Sequence, residues 1–448
     1  MRGGTTSTAG RRALNLVSGV WAGNRKHIDI PLSFMVPGIA RKAGRRCPFQ
    51  QGWGRGAKSW ITDRMLQKTF QGGVEPMSAR LVPKERDTRL DVFRALCLLT
   101  IFVNHVPGQY LEYLTHKNFG FSDSAEAFVL ISGLSVGIAY GGKFVSGARL
   151  AVTLKIWRRA LALYVAHIMT SIVTLAIFAG GALYFGRQDL IGEINIRPMV
   201  EQTEQGIVAM VLLGHQLGYN NILSMYAALF LMLPGILWLN GVSKKLLLVL
   251  SAALWLAAGI FKFVPSNFLD EGYWFLNPWS WQFLFVIGVV MMTYVRNGGS
   301  LPRWPWLIAL SGLYLAVSAV WVLFSFWSID FSFGLPAVLT GFDKTFLSTP
   351  RLLHVLALGY LIAVTPRISN LAKLDSDHPL AVVGRHSLPI FIFGTILAMS
   401  GQVLLFVTGK NPVIGSLFVV AGIGLHFVYA YYLEWLRGIA MAKPLRAI

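Results

Sequence analysis

The sequence predicts an all-α integral membrane protein of about ten transmembrane helices with both termini in the cytoplasm. Apolar residues fill 54% of its 448 positions, charged residues only 13%, and mean hydropathy is +0.56, so most of the chain takes lipid rather than water as its solvent. Apolar runs of spanning length recur from Val92 onward. Basic residues are distributed as membrane orientation demands. The net charge of +20 raises the question of nucleic acid, but 17 of the 40 lysines and arginines precede Val92 and the others do not cluster with aromatics in soluble stretches. No nucleic-acid partner is expected. Two cysteines, Cys47 and Cys97, offer neither a disulfide framework nor a metal-ligand spacing, and no metal site is expected.

Residues 1–85 are rich in Gly, Arg and Lys, lack a sustained apolar run, and show no small-residue cleavage site after a hydrophobic core. They read as a basic, disordered leader. Met77 opens Met-Ser-Ala-Arg-Leu-Val-Pro-Lys-Glu-Arg-Asp, which has the look of a natural N-terminus leading into the first helix, and translation from Met77 is one reading of the leader. Residues 86–436 form the polytopic domain, and 437–448 a short basic cytoplasmic tail.

Spans are expected near 92–108, 125–142, 159–184, 221–240, 246–264, 280–295, 304–327, 351–365, 387–408 and 413–433. Pro107 ends or kinks the first. Asp123-x-x-Glu126 opens the second as an acidic variant of the capping box, and Gly133, Gly137 and Gly141 along it form a stripe suited to close helix packing. Arg158 and Arg159 begin the third. The segment 206–218 is too short to span and is expected to lie at the interface or re-enter. With the N-terminus inside, 15 basic residues after Arg94 fall in cytoplasmic connections against seven outside, and the carboxylates run mostly the other way. No period of 20–50 residues repeats, and no pair of broken helices occupies matching places in two halves, as an inverted-repeat transporter would show.

Arg94 and His105 are the lone arginine and the lone histidine of the first apolar helix. Eleven steps at about 100° return to nearly the same face, so both line one stripe, separated by roughly 16 Å along the axis. A cation and an imidazole in an apolar span each cost a few kcal/mol in lipid, which marks a protein-lined path.

The run Arg86-Asp-Thr-Arg-Leu-Asp-Val-Phe-Arg-Ala with Asn104-His-Val-Pro-Gly, then Asn118-Phe-Gly-Phe-Ser-Asp-Ser-Ala-Glu-Ala-Phe-Val-Leu-Ile-Ser-Gly, resembles the OpgC family of membrane proteins. Further matches follow in order: Trp157 to His167, Ile222-Leu-Ser-Met-Tyr226, Asn277-Pro-Trp-Ser-Trp-Gln282, Asp343-Lys344 with Arg351-Leu-Leu-His354, and Leu380 to Pro389. The likeness covers roughly residues 84–436.

The resemblance implies an inner-membrane O-acyltransferase that succinylates osmoregulated periplasmic glucans in bacteria, with succinyl-CoA or another acyl-CoA as co-substrate and no bound cofactor. The family is similar to the wider acyltransferase family-three superfamily, whose Arg-x10-His pair is matched by Arg94 and His105. His105 is then expected to be catalytic, as general base or transient acyl carrier, with Arg94 near the entry of the cytoplasmic donor. For Arg94 an i, i+3 pairing with Asp91 is the structural alternative. Asp123 and Glu126, opening span two beside the end of span one, are placed to orient His105, against a purely capping role. Arg158 and Arg159 suit CoA phosphates, although the positive-inside rule alone would also place them there. His215, Arg351 and His354 are expected as acceptor or acyl-carboxylate contacts. The aromatic stretch Gly272 to Trp281 reads as an interfacial belt. A transporter of glycans or small anions, with Arg94 and His105 as pore residues, is the alternative from another functional class.

Overall fold

A computed structural model describes residues 87–330 and 332–442. Met77, Cys47 and the rest of the leader, and the tail beyond 442, lie outside the described residues. Among those described, the chain is helical throughout and contains no strand, only an isolated bridge between Ser266 and Tyr273.

Each of the ten expected segments holds a helix. Helix α1 (Arg89–Asn104) stops short of Pro107, whose ring cannot continue the ladder, and His105 is its C-cap. Helix α2 (Ser124–Val136) runs through a π-helical turn at Gly137–Gly141 into Gly142–Val145. Helix α3 (Arg149–Tyr184) is 36 residues long, about 54 Å, which exceeds the roughly 30 Å of a hydrocarbon core. The nine-residue α4 (Thr203–Val211) occupies the segment too short to span. There follow α5 (Asn221–Val242), α6 (Lys244–Ile260), α7 (Pro278–Arg296), α8 (Pro305–Leu323) and α9 (Thr349–Val364). Short α10 (Pro379–Arg385) leads into α11 (Ser387–Val407) and α12 (Pro412–Ala442).

Among the described residues, seven helices are long and apolar enough to cross a membrane: those built on α2, α3, α5, α7, α8, α11 and α12. Helices α1, α6 and α9 have 16, 17 and 16 residues. At about 1.5 Å per residue they reach roughly 24 to 26 Å, a little less than the bilayer core of about 30 Å.

Helix α2 packs most closely against α7, and glycine makes this possible. A Cβ at Gly133 would lie 2.2 Å from the Phe285 carbonyl oxygen, and one at Gly288 would lie 2.6 Å from the Leu130 carbonyl oxygen. Neither is a flexible side chain that can move aside. The next glycines of the stripe meet α7 as well, Gly137 against Met292 and Gly141 against Thr293. Gly288→Ala is therefore expected to lower thermal stability in detergent by about 1–3 kcal/mol, the usual cost of overpacking. Gly312→Ala on α8, where a Cβ meets open space, should leave stability equal or slightly raised. Equal losses in the two variants would contradict the close crossing. The core around this crossing is filled by Trp281, Phe285, Leu284, Val289 and Val129, all buried.

At the other contact that positions the site, α10 lies across α1. A Cβ at Gly384 would fall 1.8 Å from the Asp91 carbonyl oxygen, so the two backbones touch directly.

Candidate functional site

The end of α1 presents His105. Its backbone N–H donates to the Ile101 and Phe102 carbonyls at 3.0 and 3.1 Å, and its own carbonyl accepts from Gln402 Nε2 at 2.7 Å. These bonds fix the backbone and leave the ring free. Among the described residues no side chain hydrogen-bonds to the His105 imidazole, which instead stacks on Tyr219 with ring centroids 4.0 Å apart and 25° between planes. The ring is half-buried and lies within the electrostatic reach of Lys344, Asp123 and Lys117.

Asp123 and Glu126 do close the capping box that their spacing suggests. Asp123 Oδ1 accepts from Ala125 N at 2.8 Å, and Glu126 Oε2 accepts from Asp123 N at 3.0 Å. Their remaining oxygens go to cations from the far side of the chain. Lys344 Nζ donates to Asp123 Oδ2, Arg351 Nε donates to Glu126 Oε1 at 2.7 Å, and Arg351 Nη2 reaches Glu126 Oε1 at 2.5 Å and Asp123 Oδ2 at 3.4 Å. Two carboxylates and two cations thus form one compensated cluster, with Glu126 fully buried and the Arg351 side chain 14% exposed. The carboxylates are engaged by Lys344 and Arg351 and make no hydrogen bond to His105.

The loop that carries Lys344 is held by buried aromatics. Trp281 Nε1 donates to the Lys344 carbonyl at 3.1 Å, and Trp255 Nε1 donates to the carbonyls of Phe346 and Leu347. Trp281 is completely buried, so the end of the aromatic stretch expected as an interfacial belt is instead a support of this loop. One turn beyond Arg351, the buried His354 shares a 2.7 Å hydrogen bond between its Nδ1 and Ser122 Oγ, and Gly120 fits against its ring so closely that a Cβ would fall 2.0 Å from Nε2. His354 therefore clamps the loop that leads into Asp123.

Arg94 sits at the opposite end of α1. Its Nη1 donates to Asp91 Oδ1 at 3.0 Å and to the Gly384 carbonyl at 3.2 Å, and its Nη2 donates to Ser135 Oγ. It lines a cavity of about 220 Å³ shared with Arg159, Ser132, Ser135, Tyr226 and Ser387. The Tyr226 hydroxyl donates to Ser132 Oγ at 3.1 Å. Two guanidiniums thus line one small cavity, that of Arg94 also bonded to Asp91, and their forked donors suit an anion. Arg158 and Arg159 are both exposed, but only Arg159 lines this space.

Of the residues expected from sequence, the structure brings Arg94 together with Arg159, and Asp123 and Glu126 together with Arg351, with His354 of α9 packed against the adjoining loop. His105 caps the end of α1 opposite Arg94, within electrostatic reach of Asp123 and Lys344. His215 is elsewhere: its Nε2 meets the Asn195 carbonyl at 2.8 Å, and it touches none of the groups above. Lys344 and Tyr219 were not among the expected site residues. Asp343-Lys344 stands in a matching motif, whereas nothing local to the sequence marks Tyr219. Among the described residues, no group of three or more His, Cys, Asp or Glu side chains is arranged to hold a metal ion.

The model of a protein family described as OpgC protein matches residues 86–438 of the chain. No curated protein and no solved structure matches it.

Proposed function

Because the chain belongs to the OpgC protein family, we propose that it is a membrane O-acyltransferase that moves a succinyl group from cytoplasmic succinyl-CoA to hydroxyls of a periplasmic glucan. The observation that carries this reading is the His105 imidazole, held by its backbone, stacked on Tyr219 and free of side-chain hydrogen bonds, at the opposite end of α1 from the Arg94–Arg159 cavity.

In this proposal ten helices cross the bacterial inner membrane, α1, α6 and α9 completing the set, and both termini face the cytoplasm. The end of the bundle that carries Arg89, Arg296, Arg303 and Arg385 is then cytoplasmic by the positive-inside rule. The donor enters there, with anionic groups against Arg159 and Arg94, and its thioester extends along α1 toward His105. A glucan hydroxyl arrives from the periplasmic end. Its oxygen attacks the thioester carbon while His105 accepts the hydroxyl proton. The carbon–sulfur bond breaks, and the CoA thiolate leaves with the proton returned from the imidazolium, which yields a glucan ester and free CoA. The Asp123–Lys344–Glu126–Arg351 cluster fixes the rim of the acceptor side. Its cations, with His354 behind them, are the proposed contacts of the succinyl carboxylate or of sugar hydroxyls; His215 lies outside this rim.

The two adjacent arginines of α3 test the donor side. Arg159→Gln should raise the KM for succinyl-CoA about tenfold with little change in turnover at saturation, since a charge-assisted contact of roughly 1.5–3 kcal/mol is lost away from the reacting bond. Arg158→Gln, on the same helix but outside the cavity lining, should leave KM within about twofold. Equal effects of the two would mean a diffuse surface field rather than a site at the cavity. In cells, mass spectrometry of periplasmic glucans with and without the protein tests acyl group and acceptor together. A succinyl mass increment that depends on the protein supports the proposal, and identical glucans contradict it.

A further inference from the structure

A second, larger space lies on the other side of α1. A groove of about 1410 Å³ runs between α1, α2, α7 and α9, walled by apolar side chains that include Leu90, Phe93, Leu134, Ile138 and Ala363. From Leu90 to Thr100 it follows α1 for about 15 Å, half of the hydrocarbon core of about 30 Å, which is the depth one acyl chain covers from headgroup to midplane. His116 also lines it, and Arg89 at the start of α1, Arg296 at the end of α7 and Arg303 line its mouth.

The mouth carries a surplus of positive charge. Arg89 is neutralised by Asp87, whose Oδ2 lies 2.5 Å from Nη2. Arg296 donates to the Ile138 carbonyl at 2.6 Å, and among the described residues neither it nor the exposed Arg303 forms an ion pair. Beside them Trp304 and Trp306 stack at 5.5 Å, both exposed, as side chains do at headgroup depth. An apolar groove inside the membrane, with two uncompensated guanidiniums and an aromatic pair at one mouth, has the chemistry of a phospholipid: hydrocarbon below, phosphate above.

We infer that this groove is a binding site for one anionic glycerophospholipid, with its phosphate on Arg296 and Arg303 and an acyl chain along α1. The site is separate from the Arg94–Arg159 cavity and does not depend on the acyl-transfer reading.

The test is a titration of the full-length protein in mild detergent, followed by native mass spectrometry, with phosphatidylglycerol and phosphatidylcholine as probes. The wild type should bind phosphatidylglycerol in preference to phosphatidylcholine. Each arginine near an anionic lipid surface strengthens binding about fivefold, so Arg296→Gln with Arg303→Gln should weaken phosphatidylglycerol about thirtyfold and remove the preference. Arg303→Lys should retain most of it. Ala363→Trp, which fills the groove, should weaken both lipids, and Leu358→Trp serves the same purpose if the first variant does not fold. Lys244→Gln with Lys245→Gln, away from the mouth, should change neither. Equal binding of the two lipids by the wild type, undiminished phosphatidylglycerol binding by the double glutamine variant, unchanged binding in the filled groove, or displacement of the lipid by inorganic phosphate would each overturn the inference.

Discussion

Replacing His105 with alanine is expected to lower acyl transfer by about two to four orders of magnitude while the protein still inserts and purifies normally. The size follows from the role: a general base in the bond-forming step contributes that much. The backbone there is held by Ile101, Phe102 and Gln402 rather than by the ring, so truncating the side chain leaves the helix end in place. What alanine does remove besides the base is the stack on Tyr219. His105→Phe separates the two contributions, because it keeps an aromatic face against Tyr219 and has no proton acceptor. Activity lost equally in both variants assigns the effect to the imidazole nitrogen. Near wild-type turnover in a well-folded His105→Ala protein would exclude its catalytic role.

The largest expected effect on stability belongs to Arg351. Replacing it with methionine leaves the fully buried Glu126 facing its former partner's space with no second cation in hydrogen-bond contact, since Lys344 pairs with Asp123. Breaking one side of a buried ion pair typically costs about 3–5 kcal/mol, whereas replacing both sides by neutral groups of similar volume is often close to neutral. Arg351→Met should therefore unfold at a clearly lower temperature in detergent, and Glu126→Gln combined with Arg351→Met should recover most of the loss. A single variant as stable as wild type would mean that the cluster is not a buried unit. The same series separates capping from function. Asp123→Asn should reduce turnover more than it reduces stability if the cluster shapes the acceptor rim, and the two should fall together if the carboxylates only cap α2.

The apolar helices were legible because lipid-facing composition is a property of the local sequence, read over a window of about 20 residues. Where helices end was less legible. Hydropathy marks the edge of the hydrocarbon layer, but α3 begins at Arg149 and α12 continues to Ala442, because a helix entering water needs no apolar residues to persist. The polar groups on α1 were legible for the same local reason: 3.6-residue periodicity places Arg94 and His105 on one stripe. Arg158 and Arg159 show the limit of that reasoning. They are about 100° apart on α3, so one can face a cavity while the other faces away, and only the position of the neighbouring helices decides which. Lys344 joins Asp123 across 221 residues of chain, a pairing that no local pattern announces. Trp281 makes the same point in apolar form. Its amphipathic ring fits a membrane interface or a buried loop support equally well, and the hydrogen bond to the Lys344 carbonyl is a tertiary fact.

Acyl transfer is read out by the purified protein in proteoliposomes, with succinyl-CoA labelled in the succinyl group on one side and unlabelled glucan on the other. An acyltransferase yields label bound to glucan as a base-labile ester, formed with release of CoA and lost in His105→Ala. Label that stays on CoA, or glucan that crosses the bilayer without acquiring label, would exclude acyl transfer and leave a transporter in its place.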